Sequence, residues 1–206
     1  MRRYKRIMAA GLMLAALLGL AGCTEKTVEV DFLPEAHNDE LLVLLPEDWQ
    51  FLADWQTSEN VPQLLLIQGE TMVTPMQFGY NWGYYTDAEK QEICSYIACG
   101  MHPLDAVKDL SRLDKAAVGE QELTLLWQAE PTAASITAYA YDEWQQRKCG
   151  NTEPWEITNT EIAFTGVWNF KLLADEHSYV YVINGEWLAE NTPGIGGNSM
   201  WAFYVE

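Results

Sequence analysis

Cys94, Cys99, His102 and Asp105 carry thiols, an imidazole and a carboxylate within twelve residues of chain, the groups that bind zinc or carry nucleophilic chemistry. Their spacing argues against a metal site. In an extended "CSYIAC" a separation of five sends the two sulfurs to opposite faces, about 16 Å apart along the strand. The ligands of one tetrahedral zinc lie within about 4 Å of each other. The same geometry disfavours a Cys94–Cys99 disulfide without a sharp bend. His102 precedes Pro103, which biases it toward extended backbone at a strand exit. A capping or turn role is therefore expected of it. No metal and no cofactor is expected.

Other chemistry is thinly represented. The chain has no G-x-S-x-G, no P-loop and no G-x-G-x-x-G, and its three histidines, His37, His102 and His177, sit in no recognisable triad context. The adjacent acids Asp142 and Glu143 could serve hydrolysis of a glycan or peptide from a loop, or bind calcium, although turn acids are mostly solvated. Trp144 and Trp155 lie in the polar stretch "DEWQQRKCGNTEPWEI", off the strand pattern. There they either stack on a sugar or peptide or cap the ends of a core. Gly194, Gly196 and Gly197 of "AENTPGIGGN" read as a hairpin loop rather than a phosphate cradle. These five residues are the expected ligand contacts, because loops at the end of a rigid scaffold commonly carry binding.

The elements that must position them are strands. "QLLLIQG", "MQFGYNWGYY", "ICSYIACG", "ELTLLWQAE", "SITAYAYDE", "SYVYVINGEW" and "SMWAFYVE" are apolar or alternating runs separated by polar turns. "EIAFTGVWNFKLLAD" adds one or two strands broken near Gly166. Only "HPLDAVKDLSRLDKAAVGEQ" has a helical period, enough for a short turn. Nine Trp, ten Tyr and six Phe supply a real core and exclude global disorder. The pattern predicts an all-β, immunoglobulin-like two-sheet sandwich of seven or so strands over residues 61–206. "DEHSYVY" strengthens it. Asp175, Tyr179 and Tyr181 are spaced like the tyrosine corner of immunoglobulin-like domains, with Tyr181 in the place of the cysteine.

The first residues set the address. Arg2, Arg3, Lys5 and Arg6 precede an apolar run from Ile7 to Leu20 that is short for a membrane span. "LAGC", ending at Cys23, resembles the lipobox of bacterial lipoproteins. Residues 1–22 are thus an expected lipoprotein signal peptide, Cys23 the lipidated residue, and 23–60 a tether with an uncertain extension. Two acyl chains at about 0.8 kcal/mol per buried methylene anchor a chain stably without a transmembrane helix. Removing residues 1–22 takes four of the 12 Lys and Arg and none of the 30 Asp and Glu, leaving 8 against 30 and a formal net charge of −22. Such a surface repels nucleic acid and anionic headgroups. Outside the cell three cysteines remain, Cys94, Cys99 and Cys149, enough for one bond and one thiol. Cys99 with Cys149 is the first expected pairing, a closed loop stabilising by up to about 4 kcal/mol. Cys94 with Cys149 is the second, and in an anaerobic host all three stay reduced.

The run "VPQLLLIQGETMVTPMQFGYNWGYYTDAEKQEICSYIACGMHPLD", with the later strands and "GGNSMWAFYVE", resembles an extracytoplasmic domain of Firmicutes. That domain occurs as lipoproteins and as the outer part of membrane antirepressor metallopeptidases of the beta-lactam-sensor type. The resemblance rests most on "YNW", "ACGMHPLD" and the aromatic last strand. This chain lacks the membrane helices and the H-E-x-x-H of the larger proteins, and has Gln68 where relatives are expected to carry a cysteine, which leaves the disulfide pairing open. What the resemblance implies is a surface module beside a signalling or envelope function, with no assigned activity. The expected function is a lipid-anchored, extracytoplasmic binding or sensory accessory module, not an enzyme, whose partner is an envelope protein, a peptide or a cell-wall ligand. The alternative is a cell-envelope hydrolase using loop carboxylates.

Overall fold

The computed structural model describes residues 45–46, 49–69, 71–114, 122–149 and 159–206, with backbone alone for 146–149. The expected signal peptide of residues 1–22, Cys23, most of the expected tether, His37, Trp155 and the side chain of Cys149 lie outside the described residues.

Half-buried alternation produces the strands. They are β1 (Leu64–Gln68), β2 (Thr71–Val73), β3 (Met76–Asp87), β4 (Glu92–Cys99), β5 (Ser111–Leu113), β6 (Leu123–Trp127), β7 (Ala133–Ala140), β8 (Asn159–Ile162), β9 (Asn169–Phe170), β10 (Tyr179–Leu188) and β11 (Gly196–Val205). They form two sheets, a small one ordered β2-β1-β6-β9 and a large one ordered β4-β3-β11-β10-β7-β8. β5 joins β11 in parallel, and every other pairing is antiparallel. The all-β two-sheet sandwich is thus as expected, with more strands than expected. β2, β5 and β9, two or three residues long, are too short to leave an alternating signature.

The core lies between the sheets. Leu64, Leu66 and Leu125 of the small sheet face Ile136, Ile183 and Phe203 of the large one, all nearly inaccessible. Each such aliphatic burial is worth about 1.5–3 kcal/mol. Indoles fill the middle. Trp127 stands edge-on to Trp187, Trp201 and Trp168 at 5.7, 5.4 and 6.1 Å between ring centroids, and Trp187 meets Trp82 at 5.7 Å. Gly185 makes this possible, since a Cβ there would lie 2.9 Å from the Trp187 ring and 3.1 Å from that of Trp127.

The residues read as a tyrosine corner do tie down the start of β10. The Tyr179 hydroxyl donates to Asp175 Oδ2 at 2.7 Å, and the buried Tyr181 hydroxyl accepts from the backbone N–H of Leu173 at 2.8 Å. Burial is the main cause that pushes the Tyr181 phenol up to about 12.

Helix occurs where polarity hid it. The strand expected through Glu143 stops at Ala140, and an α-helix runs over Tyr141–Cys149. Asp142 and Glu143 in its first turn suit the positive end of the helix dipole. The segment with helical period gives two 3-10 turns instead, Pro103–Asp105 and Val107–Asp109. No helix among the described residues is long and apolar enough to cross a membrane.

A half-covered sheet face as candidate functional site

Antiparallel register sorts the outer face of the large sheet into transverse rows. Two rows are apolar or nearly so. Val180 lies between Tyr204 and Tyr139, and Val182 between Ala202 and Thr137. The chain leaving β4 crosses this end as a strap, Gly100–Leu110, and buries Leu104, Ala106, Val107 and Leu110 against Val180, Val182, Ala202 and Phe78. Gly100 lets the strap start close to the sheet, since a Cβ there would fall 1.9 Å from the carbonyl oxygen of Phe78. His102 caps the first 3-10 turn as expected, its Nδ1 accepting from the Leu104 N–H at 3.3 Å, with its backbone extended.

The next two rows are different. Asn184 lies between Met200 and Ser135, and Glu186 between Asn198 and Ala133. Across β3 and β4 they continue through Gly79 to Cys99 and through Asn81 to Ile97. The strap covers only the margin of this end, and a groove of about 670 Å³ remains, lined by Asn81, Asn184, Asn198, Ser135, Glu186 and the strap's first residues. The side chains of these five residues make no hydrogen bond to another described residue. Three amides, each with two donors and an acceptor, one hydroxyl and one carboxylate suit peptide groups or sugar hydroxyls. Ile97 and Met101, 69% and 61% exposed, add apolar surface at the rim.

β4 is the outer wall of this groove and an edge of its sheet. Its inner side is held by Tyr96, which packs edge-on against Tyr80 and Tyr84 and donates its hydroxyl to the Glu59 carbonyl. Burial, then the neighbouring Tyr80 and Tyr84, raise the Tyr96 phenol above its ordinary value. Cys94 and Cys99 are both free and exposed. As residues five apart on one strand they point to opposite faces, and only Cys99 reaches the groove. Its expected partner, Cys149, has its side chain outside the described residues. Among the described residues no group of three or more His, Cys, Asp or Glu is placed to hold a metal ion.

The expected contact residues are not gathered at one end. Trp144 is half-buried and packs on the covered rows with Tyr141. Gly196 and Gly197 pair with Leu188 and Trp187 at the other end of β10, about 25 Å away along the strands. Gly196 is moreover buried inside β11, where a Cβ would lie 2.1 Å from the Trp187 carbonyl oxygen. Its glycine serves close packing at positive φ. Gly194 is exposed in the loop before β11 and is not among the residues lining the groove. Asp142 and Glu143 open the helix rather than a loop, and Asp142 Oδ2 lies 2.7 Å from His177 Nδ1. That hydrogen bond, then the Asp142 charge, raise the His177 imidazole above its ordinary value.

The groove residues themselves are missing from the sequence reading. Their signal was present in "SYVYVINGEW", where the outward positions run Val180, Val182, Asn184, Glu186 and change from apolar to polar in mid-strand. Compared with known proteins, the chain matches no family model, no curated protein and no solved structure.

Proposed function

We propose that the chain is a lipid-anchored module on the extracytoplasmic face of the membrane that acts by binding an envelope ligand in the groove on the open half of its large sheet. The observation that carries this reading is the row pattern. One end of a sheet face is sealed by the strap, while the other keeps Asn81, Asn184, Asn198, Ser135 and Glu186 turned to solvent, with no side-chain hydrogen bond to another described residue. The basic leader, apolar run and "LAGC" supply the anchoring half of the reading, with Cys23 as the acylated residue. The extracytoplasmic domain that the sequence resembles is consistent with it.

The test has two arms. Metabolic labelling with a palmitate analogue is expected to mark the full chain and to be lost in Cys23→Ser. Titration with peptidoglycan fragments and with peptides from envelope proteins is expected to find a ligand whose affinity falls at least about tenfold in Asn184→Val and Asn198→Val, as loss of paired polar groups predicts. Binding that ignores both substitutions, or cleavage of the added fragments by the purified chain, defeats the reading.

A further inference from the structure

Resting on the groove as the ligand site, we propose that the ligand is an extended, basic polypeptide segment that adds to the free edge of β4 as a further strand, with alternate side chains lying in the groove. Every second residue of β4 turns its N–H and C=O away from β3. Among the described residues no backbone group takes them. The other sheet edges are shorter, four residues in β8, three in β2 and two in β9, against eight in β4. Edges of this length are normally guarded by Lys, Pro or a bulge. From Ile93 to Cys99 there is no charge and no proline, and the register with β3 is regular from Gly79 to Tyr85.

The surface beside this edge indicates what docks there. Ile93 and Ile97, 43% and 69% exposed, stand on the groove side of β4 two positions either side of Ser95, spaced to take alternate side chains of a neighbouring strand. Around them the charges are acidic. Glu92 starts the strand, Glu89 lies in the preceding turn, Glu59 sits behind Tyr96, and Glu186 lies on the groove floor. The lysine in that turn, Lys90, is already paired with Asp87 at 2.5 Å. A segment alternating basic and apolar residues matches both features, while a second copy of a chain of net charge −18 meets like charge. Eight residues of β4 span about 26 Å, room for a partner strand of similar length.

The experiment uses the full chain in detergent and a capped nonapeptide of alternating lysine and valine. Two further versions are N-methylated on one or the other alternate set of residues, and a fourth carries glutamate for lysine. A strand added at one edge donates N–H groups from one set only. The expected result is at least about tenfold slower hydrogen exchange in residues 93–99, and at least about tenfold weaker binding for one N-methylated version but not the other. The glutamate peptide and the Ile97→Lys variant are expected to lose a similar factor. Equal binding of both N-methylated peptides overturns the proposal. So does unchanged exchange in β4, or a dimer through β4 that excludes the peptide. If no peptide binds while an envelope ligand remains sensitive to Asn184→Val, strand addition fails and the groove reading stands. If the peptide protects β4 but ignores Asn184→Val and Asn198→Val, strand addition stands and the groove reading fails.

Discussion

Val182 and Asn184 are neighbours on the same face of the same strand, yet one lies under the strap and the other opens into the groove. Backbone geometry is common to both, since β10 pairs with β7 and β11 without interruption through these rows. The difference lies in side chains alone. At the Val182 end they recruit a cover of Leu104 and Val107, and at the Asn184 end amides, a hydroxyl and a carboxylate stay open to solvent. A sheet face thus divides into a structural half and an available half by a change of residue type between two rows. Stability should respond to one half and ligand to the other.

The largest expected effect is in the cover. Leu104→Ala should cost about 3 kcal/mol in urea unfolding, because a buried leucine leaves a cavity against β10 and β11. A loss under about 1 kcal/mol would mean that the strap is not part of the cooperative core. Between the sheets, Tyr181 gives a reference independent of both halves. With its phenol at about 12 in the folded chain and about 10 when unfolded, its contribution is whole below about pH 10 and fades as pH rises toward 12. About 3 kcal/mol should be lost across that window, and Tyr181→Phe should lessen this part of the pH dependence.

Exchanging residue types between the halves tests the division directly. Val182→Asn should cost about 2 kcal/mol by burying an amide without partners, and Asn184→Val should change stability by less than about 0.5 kcal/mol while removing ligand. Equal costs would erase the distinction. The smallest effect belongs to His177. Its raised imidazole contributes stability that is complete below its unfolded value near pH 6.5 and lost as pH rises through the folded one. Asp142→Asn should bring the imidazole back down, as read by NMR titration.

Strand-forming runs were legible because sandwich strands alternate. "SITAYAYDE" and "SYVYVINGEW" announce their buried faces, and β7 and β10 overlap them, β7 starting two residues earlier and β10 ending one residue later. The helix Tyr141–Cys149 was not legible, since "YDEWQQRKC" is polar nearly throughout and carries no apolar stripe. The groove escaped for another reason. Asn81, Asn184 and Asn198 are more than a hundred residues apart in part and meet only through the register of three strands, which no local pattern encodes. His102 was read correctly because its role is local, set by the proline that follows it.

One feature of the topology bears on how this molecule is made. β11, last in sequence among the described strands, occupies the middle of the large sheet with β3 on one side and β10 on the other. A nascent chain stopped short of Gly196 would hold two half-sheets with no seam between them, and its most distant pairing, β3 to β11, would still be to come. Assembly of the large sheet therefore waits for residues 196–205.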